Sequence, residues 1–97
     1  MATFISLVNF TQKGIENLKD SPNRVDAFKQ LCKSMGAELK GFYMTMGRYD
    51  LVVIVEAPNA ETALKAFLAT AMGGNVRTET LTAFPEEDYL KIISGLP

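Results

Sequence analysis

The run of five consecutive apolar residues from Leu51 to Val55 constrains the fold more than any other part of the sequence. It follows the turn-forming segment Gly47-Arg48-Tyr49-Asp50 and stops shortly before Pro58. Because β-branched residues favour strands and proline cannot donate to a sheet ladder, this pattern predicts a strand over residues 49–57. The strand is apolar on both of its faces, which indicates an interior strand with both faces covered.

The rest of the chain alternates between strand and helix patterns. Alternating or continuous apolar residues predict further strands over residues 3–10, 37–46 and 75–84. Two helices carry apolar residues at helical spacing: the first begins at Ser21-Pro22 and ends at Gly36, and the second begins at Asn59 and ends at Gly73-Gly74. Between strands two and three, Gly47-Arg48 leaves room only for a tight hairpin turn.

A short helix is predicted after Pro85, because the acidic residues 86–88 suit a helix N-terminus. We expect its apolar side chains to dock it on the rest of the domain. These side chains are Tyr89, Leu90, Ile93 and Leu96.

The predicted order is therefore β-α-β-β-α-β with a tail helix, which is the ferredoxin-like arrangement of the α+β class in one domain over residues 1–97. Two crossover helices cover only one face of such an antiparallel sheet. Strands one and three are nevertheless apolar on both faces. A second subunit is the simplest cover for the other face, so the sequence predicts a homodimer or a higher homo-oligomer formed through the sheet.

Composition excludes several classes of function. The chain has no histidine and a single cysteine, Cys32, so we expect no metal site, no haem or other cofactor, and no histidine-dependent catalytic triad. The net charge of −1 and the absence of a basic run argue against a nucleic-acid partner. No apolar run approaches the ~20 residues of a membrane span. No signal-peptide pattern stands at the N-terminus, so a cytoplasmic location is expected.

Four segments in order resemble the GYD-domain family, a set of small and mostly bacterial proteins named after a glycine–tyrosine–aspartate signature. The signature stands here as Gly47-Arg48-Tyr49-Asp50 before the apolar strand, and the other segments are residues 10–15, 19–24 and 74–81. The resemblance implies a ferredoxin-like subunit of the dimeric α+β-barrel type, and it implies no activity. The chain departs from the family at Asn59, where an aspartate is usual, and at Thr82, where a basic residue is common.

Tyr49 and Asp50 are the first candidates for a ligand site, because a phenol beside a carboxylate could bind or protonate a small carbonyl compound. The structural alternative is that Asp50 accepts backbone N–H bonds in the hairpin while Tyr49 packs.

Three further candidates are Tyr43, Glu56 and Arg77. Arg77 could clamp an anion, or it could form an ion pair across the sheet or interface. A buried Glu56 could act as a base, or Glu56 could be solvated at the end of its strand or meet Arg24 or Arg77. Tyr43 belongs to an aromatic and sulfur-containing stretch that suits either packing or an apolar ligand.

These features favour a homo-oligomeric module that binds or senses a small organic molecule between sheet and helices. The alternative is a cofactor-independent oxygenase or isomerase of the dimeric α+β-barrel class, which the missing histidine disfavours. An RNA-binding module needs exposed aromatic and basic residues on the middle strands, where this chain has valine and isoleucine.

Overall fold

The computed structural model describes residues 1–97 and has the ferredoxin-like order predicted from the sequence. The four strands pair antiparallel in the order β2-β3-β1-β4. A single 3₁₀ turn, Leu18–Asp20, separates the first two helices. The elements are β1 Ala2–Phe10, α1 Gln12–Glu16, α2 Ser21–Ser34, β2 Glu38–Met44, β3 Leu51–Ala57, α3 Ala60–Ala71, β4 Val76–Ala83 and α4 Glu86–Ser94.

The helix ends follow local sequence signals. Thr11 caps α1, with its hydroxyl oxygen accepting the N–H of Gly14, and Asn59 caps α3, with Oδ1 2.8 Å from the backbone nitrogen of Thr62. Gly36 and Gly74 follow α2 and α3 with φ of 76° and 79°, the left-handed region in which glycine avoids a steric cost. These caps set where the helices leave the sheet.

The hydrophobic core lies on one face of the sheet, between the strands and α2 and α3. Alternate residues of β3, from Leu51 to Ala57, are buried there. From the helices come Cys32 and Phe67, and the ring of Phe67 lies 5.4 Å from that of Phe28, centroid to centroid. Burial raises the pKa of the Cys32 thiol, which fits the role of a core residue rather than a nucleophile.

The other face of the sheet, called here the open face, has no helix over it. Ile5, Leu7, Val52, Ile54 and Leu81 share this face by strand register, and each keeps part of its surface accessible. The predicted two-sided apolar character of the third strand is therefore confirmed. The register shows that the odd-numbered residues of β3 meet the helices and the even-numbered ones form the open face.

Three details differ from the sequence-based expectation. The hairpin is longer than a tight turn, because β2 ends at Met44 and β3 begins at Leu51, with the Thr45 N–H bonded to the carbonyl of Asp50. Helix α3 buries Ala63, Ala66 and Phe67, whereas Leu64 and Leu68, which belong to its apolar helical pattern, remain exposed. Here the small alanines let the helix approach the sheet closely.

The docking predicted for the tail helix is wrong for the single chain. No residue of α4 is buried, and Tyr89, Leu90, Ile93 and Leu96 are all exposed. A physical reason is the connection, because only Phe84 and Pro85 separate α4 from β4, and Pro85, at φ −57° and ψ 161°, is extended rather than turned.

The edge strand β2 contains an irregularity. Leu39 pairs with Val55 and Gly41 pairs with Ile54, so Lys40 is an extra residue, a β-bulge, in the register.

Candidate functional site

A cleft of about 280 Å³ lies beneath α2, between that helix and the core face of the sheet. It is called the α2 cleft below. Its walls are mainly apolar side chains from every layer of the domain, with a small number of polar groups at one end. The lining includes Val8, Phe10, Arg24, Val25, Phe28, Phe42, Leu51, Phe67, Thr70, Asn75, Val76 and Thr78.

Arg24 is the only charged residue among those that line the α2 cleft. It stands in the first turns of α2, and its Nη1 donates to the backbone oxygen of Asn17 at 3.0 Å. Its Nη2 is buried and has no hydrogen-bond partner. The chain forms only two ion pairs, Lys40 with Glu38 and Lys65 with Glu61, so Arg24 has no carboxylate beside it. A buried guanidinium donor without an acceptor carries a desolvation cost that an anion would relieve.

Asn75 supplies the second unsatisfied group. Its Nδ2 donates to the carbonyl oxygen of Gly73 at 3.2 Å, which fixes the amide orientation, and its Oδ1 is buried without a donor. Its own carbonyl oxygen accepts the Thr11 N–H at 3.0 Å. The cleft therefore presents one cationic donor and one neutral acceptor, both on side chains that line it.

The loop that carries Asn75 is held in place by the segment after β1. The Thr11 hydroxyl donates to the Gly74 carbonyl at 2.6 Å, and the Lys13 ammonium donates to the Gly73 carbonyl at 2.9 Å. Gly14 is buried directly against the Asn75 carbonyl, where any side chain would collide. Lys13-Gly14 therefore positions the polar end of the cleft.

Asp50 and Tyr49 lie in the hairpin loop and do not line the α2 cleft. The Oδ2 of Asp50 accepts the Phe10 N–H at 2.9 Å, and its backbone N–H donates to the Val8 carbonyl at 2.9 Å. The carbonyl of Tyr49 accepts the Thr45 hydroxyl at 2.6 Å. Asp50 thus joins the hairpin to the end of β1, and the ligand role suggested for both residues stays a prediction.

The other three predicted residues, Tyr43, Glu56 and Arg77, lie on the open face by strand register. Glu56 pairs with Glu38 and Thr3 in the sheet, and of the alternatives for its side chain the ion pair with Arg24 or Arg77 is not formed, because Arg24 lies on the helix side and neither arginine forms an ion pair. The structure therefore separates these three side chains from the α2 cleft. Their ligand contacts remain a prediction about an interface on the open face.

Sequence reasoning missed Arg24 and Asn75 as site residues. Arg24 resembles any polar residue on a helix, and Asn75 resembles a loop residue after two glycines. The one sequence feature that could have indicated the cleft is the aromatic stretch around Tyr43. Its neighbours Phe42 and Met44 lie on the other face of β2, where Phe42 lines the α2 cleft and Met44 lines a neighbouring one.

The composition of the cleft suits binding better than acid–base chemistry. Arginine does not titrate near neutral pH, and the other polar residues of the lining are hydroxyls and one amide. Nowhere do three Cys, Asp or Glu side chains converge to hold a metal ion. None of the helices has the length and apolarity that a bilayer crossing requires.

Comparison with known proteins gives one extended sequence match. The chain is 38% identical over 91 residues to a glutamine synthetase and cystathionine β-lyase binding protein of Thermus thermophilus, covering 93% of this chain and 96% of that protein. It is also similar to the crystal structure of TTHA0845 from the same organism, with a TM-score of 0.54 and 27% identity over 87% of this chain and 94% of that one.

A feast or famine regulatory protein of M. tuberculosis, complexed with L-methionine, shares the fold with a TM-score of 0.66 at 15% identity. The match covers 87% of this chain, which spans half the length of that regulator. The profile of the GYD domain matches residues 4–93, nearly the whole sequence. The chain belongs to the GYD-domain family.

Proposed function

We propose that this protein is a homo-oligomeric module that binds or senses a small organic molecule in the α2 cleft. The observation that carries the proposal is the pair of buried, unsatisfied polar atoms, Arg24 Nη2 and Asn75 Oδ1, on residues that line a mainly apolar cleft. Binding sites of this kind combine apolar walls with a few convergent polar groups. The lining favours binding over catalysis, because it contains no carboxylate, thiol, amine, phenol or imidazole that could serve as a general acid or base.

The cleft also limits the chemistry of the ligand. Its volume of about 280 Å³ is near the lower end of known ligand sites, which favours a small metabolite over a nucleotide. Arg24 suits a carboxylate, Asn75 Oδ1 suits an N–H donor, and the aromatic residues Phe10, Phe28 and Phe67 suit an apolar body.

Replacing Arg24 with methionine is expected to weaken carboxylate binding by roughly 10- to 100-fold, since a hydrogen bond to a charged group contributes ~1.5–3 kcal/mol. L-methionine and hexanoate serve as probes, and L-methioninamide and hexanol are their counterparts without a carboxylate. Native mass spectrometry and isothermal calorimetry measure retention and affinity. Arg77→Met, which removes an exposed arginine on the open face, is the matched control and should leave affinity unchanged.

The thermal midpoint without ligand separates binding from stability. Because the Arg24 guanidinium is only partly satisfied, the Arg24→Met protein should unfold at nearly the same temperature as the wild type. Failure of every probe to bind the wild-type protein, or equal affinity in the variant, would contradict the proposed ligand site.

The homo-oligomeric part of the proposal is supported by the open face, where apolar side chains of three strands lie side by side without a helix over them. Contiguous apolar surface of this kind marks an interaction site. A second copy brings an identical face, so two subunits packed face to face cover both.

A second candidate function is docking on a metabolic enzyme. It is favoured by the relative named for binding glutamine synthetase and cystathionine β-lyase, and by an exposed apolar stripe on α3. The stripe consists of Leu64 and Leu68, which are 57% and 54% exposed one helical turn apart, followed by Met72. We assign glutamine synthetase as its occupant.

Leu64→Glu/Leu68→Glu is expected to abolish co-elution of the protein with purified glutamine synthetase of the same organism in size-exclusion chromatography. Lys65→Glu, on the same helix outside the stripe, serves as the control and should still co-elute. Binding that is equal in all three proteins would remove α3 as the docking surface, and no binding by the wild type would remove this second function.

A further inference from the structure

The C-terminal helix α4 is amphipathic and buries none of its residues against its own domain. Its apolar stripe is formed by Tyr89, Leu90, Ile92 and Ile93, and every one of these side chains is exposed. Phe84 before the helix and Leu96 after it are exposed as well. A helix this short gains its stability from packing an apolar face rather than from helix propensity. The stripe therefore needs a surface to cover it.

The chain's own open face is not that surface. Only Phe84 and Pro85 separate β4 from α4, the backbone at Pro85 is extended, and the apolar side chains of α4 stay exposed. The Cα radius of gyration is 14.6 Å, whereas a compact domain of this length has roughly 12.5 Å. The molecule measures 52 Å along its longest axis and 17 Å along its shortest, as expected if α4 projects beyond the body.

Besides the stripe on α3, the chain carries two uncovered apolar surfaces, the stripe of α4 and the open face around Ile5, Val52 and Ile54. Two copies related by a two-fold axis can cover both of these surfaces, because each copy offers one C-terminal arm, residues 84–96, and one open face. Each arm carries six large apolar side chains that are about half exposed, and packing them on the partner would bury on the order of 500 Å² of the arm's surface. Two such arms, together with the partner surfaces that they cover, approach the ~1,600 Å² that a standard protein–protein interface buries.

Charged side chains indicate how α4 of one copy would be oriented on the other copy. The first turn of α4 holds Glu86, Glu87 and Asp88, and none of them forms an ion pair within the chain. Arg77 is likewise exposed and unpaired, and it lies near the start of β4, whereas α4 follows the end of that strand. A two-fold axis that sets the β4 strands antiparallel places the acidic turn of one copy close to Arg77 of the other.

We propose that two copies of this chain exchange their C-terminal helices, so that α4 of each subunit packs on the open face of the other with its acidic turn near Arg77. The inference rests on the homo-oligomer proposed above and is independent of ligand binding in the α2 cleft. The open face of each subunit is then covered by the second copy, by its helix α4 together with its sheet.

Cross-linking tests the exchange directly. The double variant Ile54→Cys/Ile93→Cys adds one thiol on the open face and one on α4, and the native Cys32 is fully buried and does not compete. Mild oxidation is expected to give a covalent dimer on a non-reducing gel. The control Ile54→Cys/Lys13→Cys, with the second thiol on the helix side of the chain, should give far less.

Truncation after Phe84 is the second measurement. The shortened protein is expected to lose the dimer in sedimentation at a concentration at which the full chain is dimeric, and circular dichroism checks that the sheet remains folded. The helix exchange would be overturned by a disulfide that forms only within one chain, or by a truncated protein that remains fully dimeric. Either result would leave the proposed homo-oligomer intact. A monomeric full-length chain would overturn both, and calorimetry of the α2 cleft still decides ligand binding separately.

Discussion

Replacing Gly14 with alanine is expected to destabilise the protein by about 2–3 kcal/mol, near the upper end of the usual cost of overpacking. At most helical positions, replacing glycine with alanine raises the free energy of unfolding by ~0.5–1 kcal/mol. A decrease would therefore indicate a steric collision at this position. Here the new Cβ would collide with the Asn75 carbonyl oxygen, and backbone cannot move as easily as a flexible side chain. Urea denaturation measures the loss as a lower midpoint with an unchanged slope.

The same substitution also tests how the α2 cleft is built. Displacing the Asn75 carbonyl breaks its bond to the Thr11 N–H and moves the amide that lines the cleft. Gly95→Ala is the matched control, because its Cβ would meet its nearest neighbour, the Lys91 carbonyl, at 3.4 Å, an ordinary contact distance. A urea midpoint for Gly14→Ala equal to that of the control would contradict the close approach of α1 to the Asn75 loop.

Replacing Asp50 with alanine is expected to cost about 2–3 kcal/mol of unfolding free energy. The change removes the charged acceptor of the Phe10 N–H and leaves that donor in a partly buried position without its partner. Asp50→Asn keeps an acceptor of the same shape without the charge, so its loss should be nearer ~1 kcal/mol. Denaturant unfolding of both variants provides the measurement.

Asp26→Ala is a suitable control for Asp50, because Asp26 is an exposed carboxylate on α2 that makes no hydrogen bond or ion pair. Its removal should change stability by no more than ~0.5 kcal/mol. Binding assays on Asp50→Asn also decide the ligand role suggested by the sequence. Weaker ligand binding with unchanged stability would show that Asp50 contacts the ligand rather than holding the hairpin.

The fold could be predicted because its determinants are local. The apolar run at Leu51–Val55, the Asn59 cap and the glycines that end the helices each specify an element without reference to the rest of the chain. The apolar character of the open face could also be predicted from the sequence. Alternate residues of a strand lie on opposite faces, so an unbroken apolar run shows that both faces are apolar. The choice between the two faces required tertiary structure, because a doubly apolar strand hides its register.

The candidate site could not be predicted in the same way. Arg24 and Asn75 are 51 positions apart and are brought to the same cleft by the packing of α2 beside the loop before β4. Their significance is that one polar atom of each lacks a partner, a property of three-dimensional arrangement that no spacing encodes. Asp50 shows the converse, since a residue that looked chemical from its motif makes backbone hydrogen bonds.

The bulge at Lys40 bears on how far assembly of this protein can proceed. An edge strand with regular pairing groups can recruit further strands, and a chain with two such edges could grow into a fibre. The extra residue and its charged side chain interrupt the outer edge of β2, so that edge is a poor template. With only the edge of β4 left as a regular template, strand pairing between copies stops at two, so it cannot extend the sheet into a fibre.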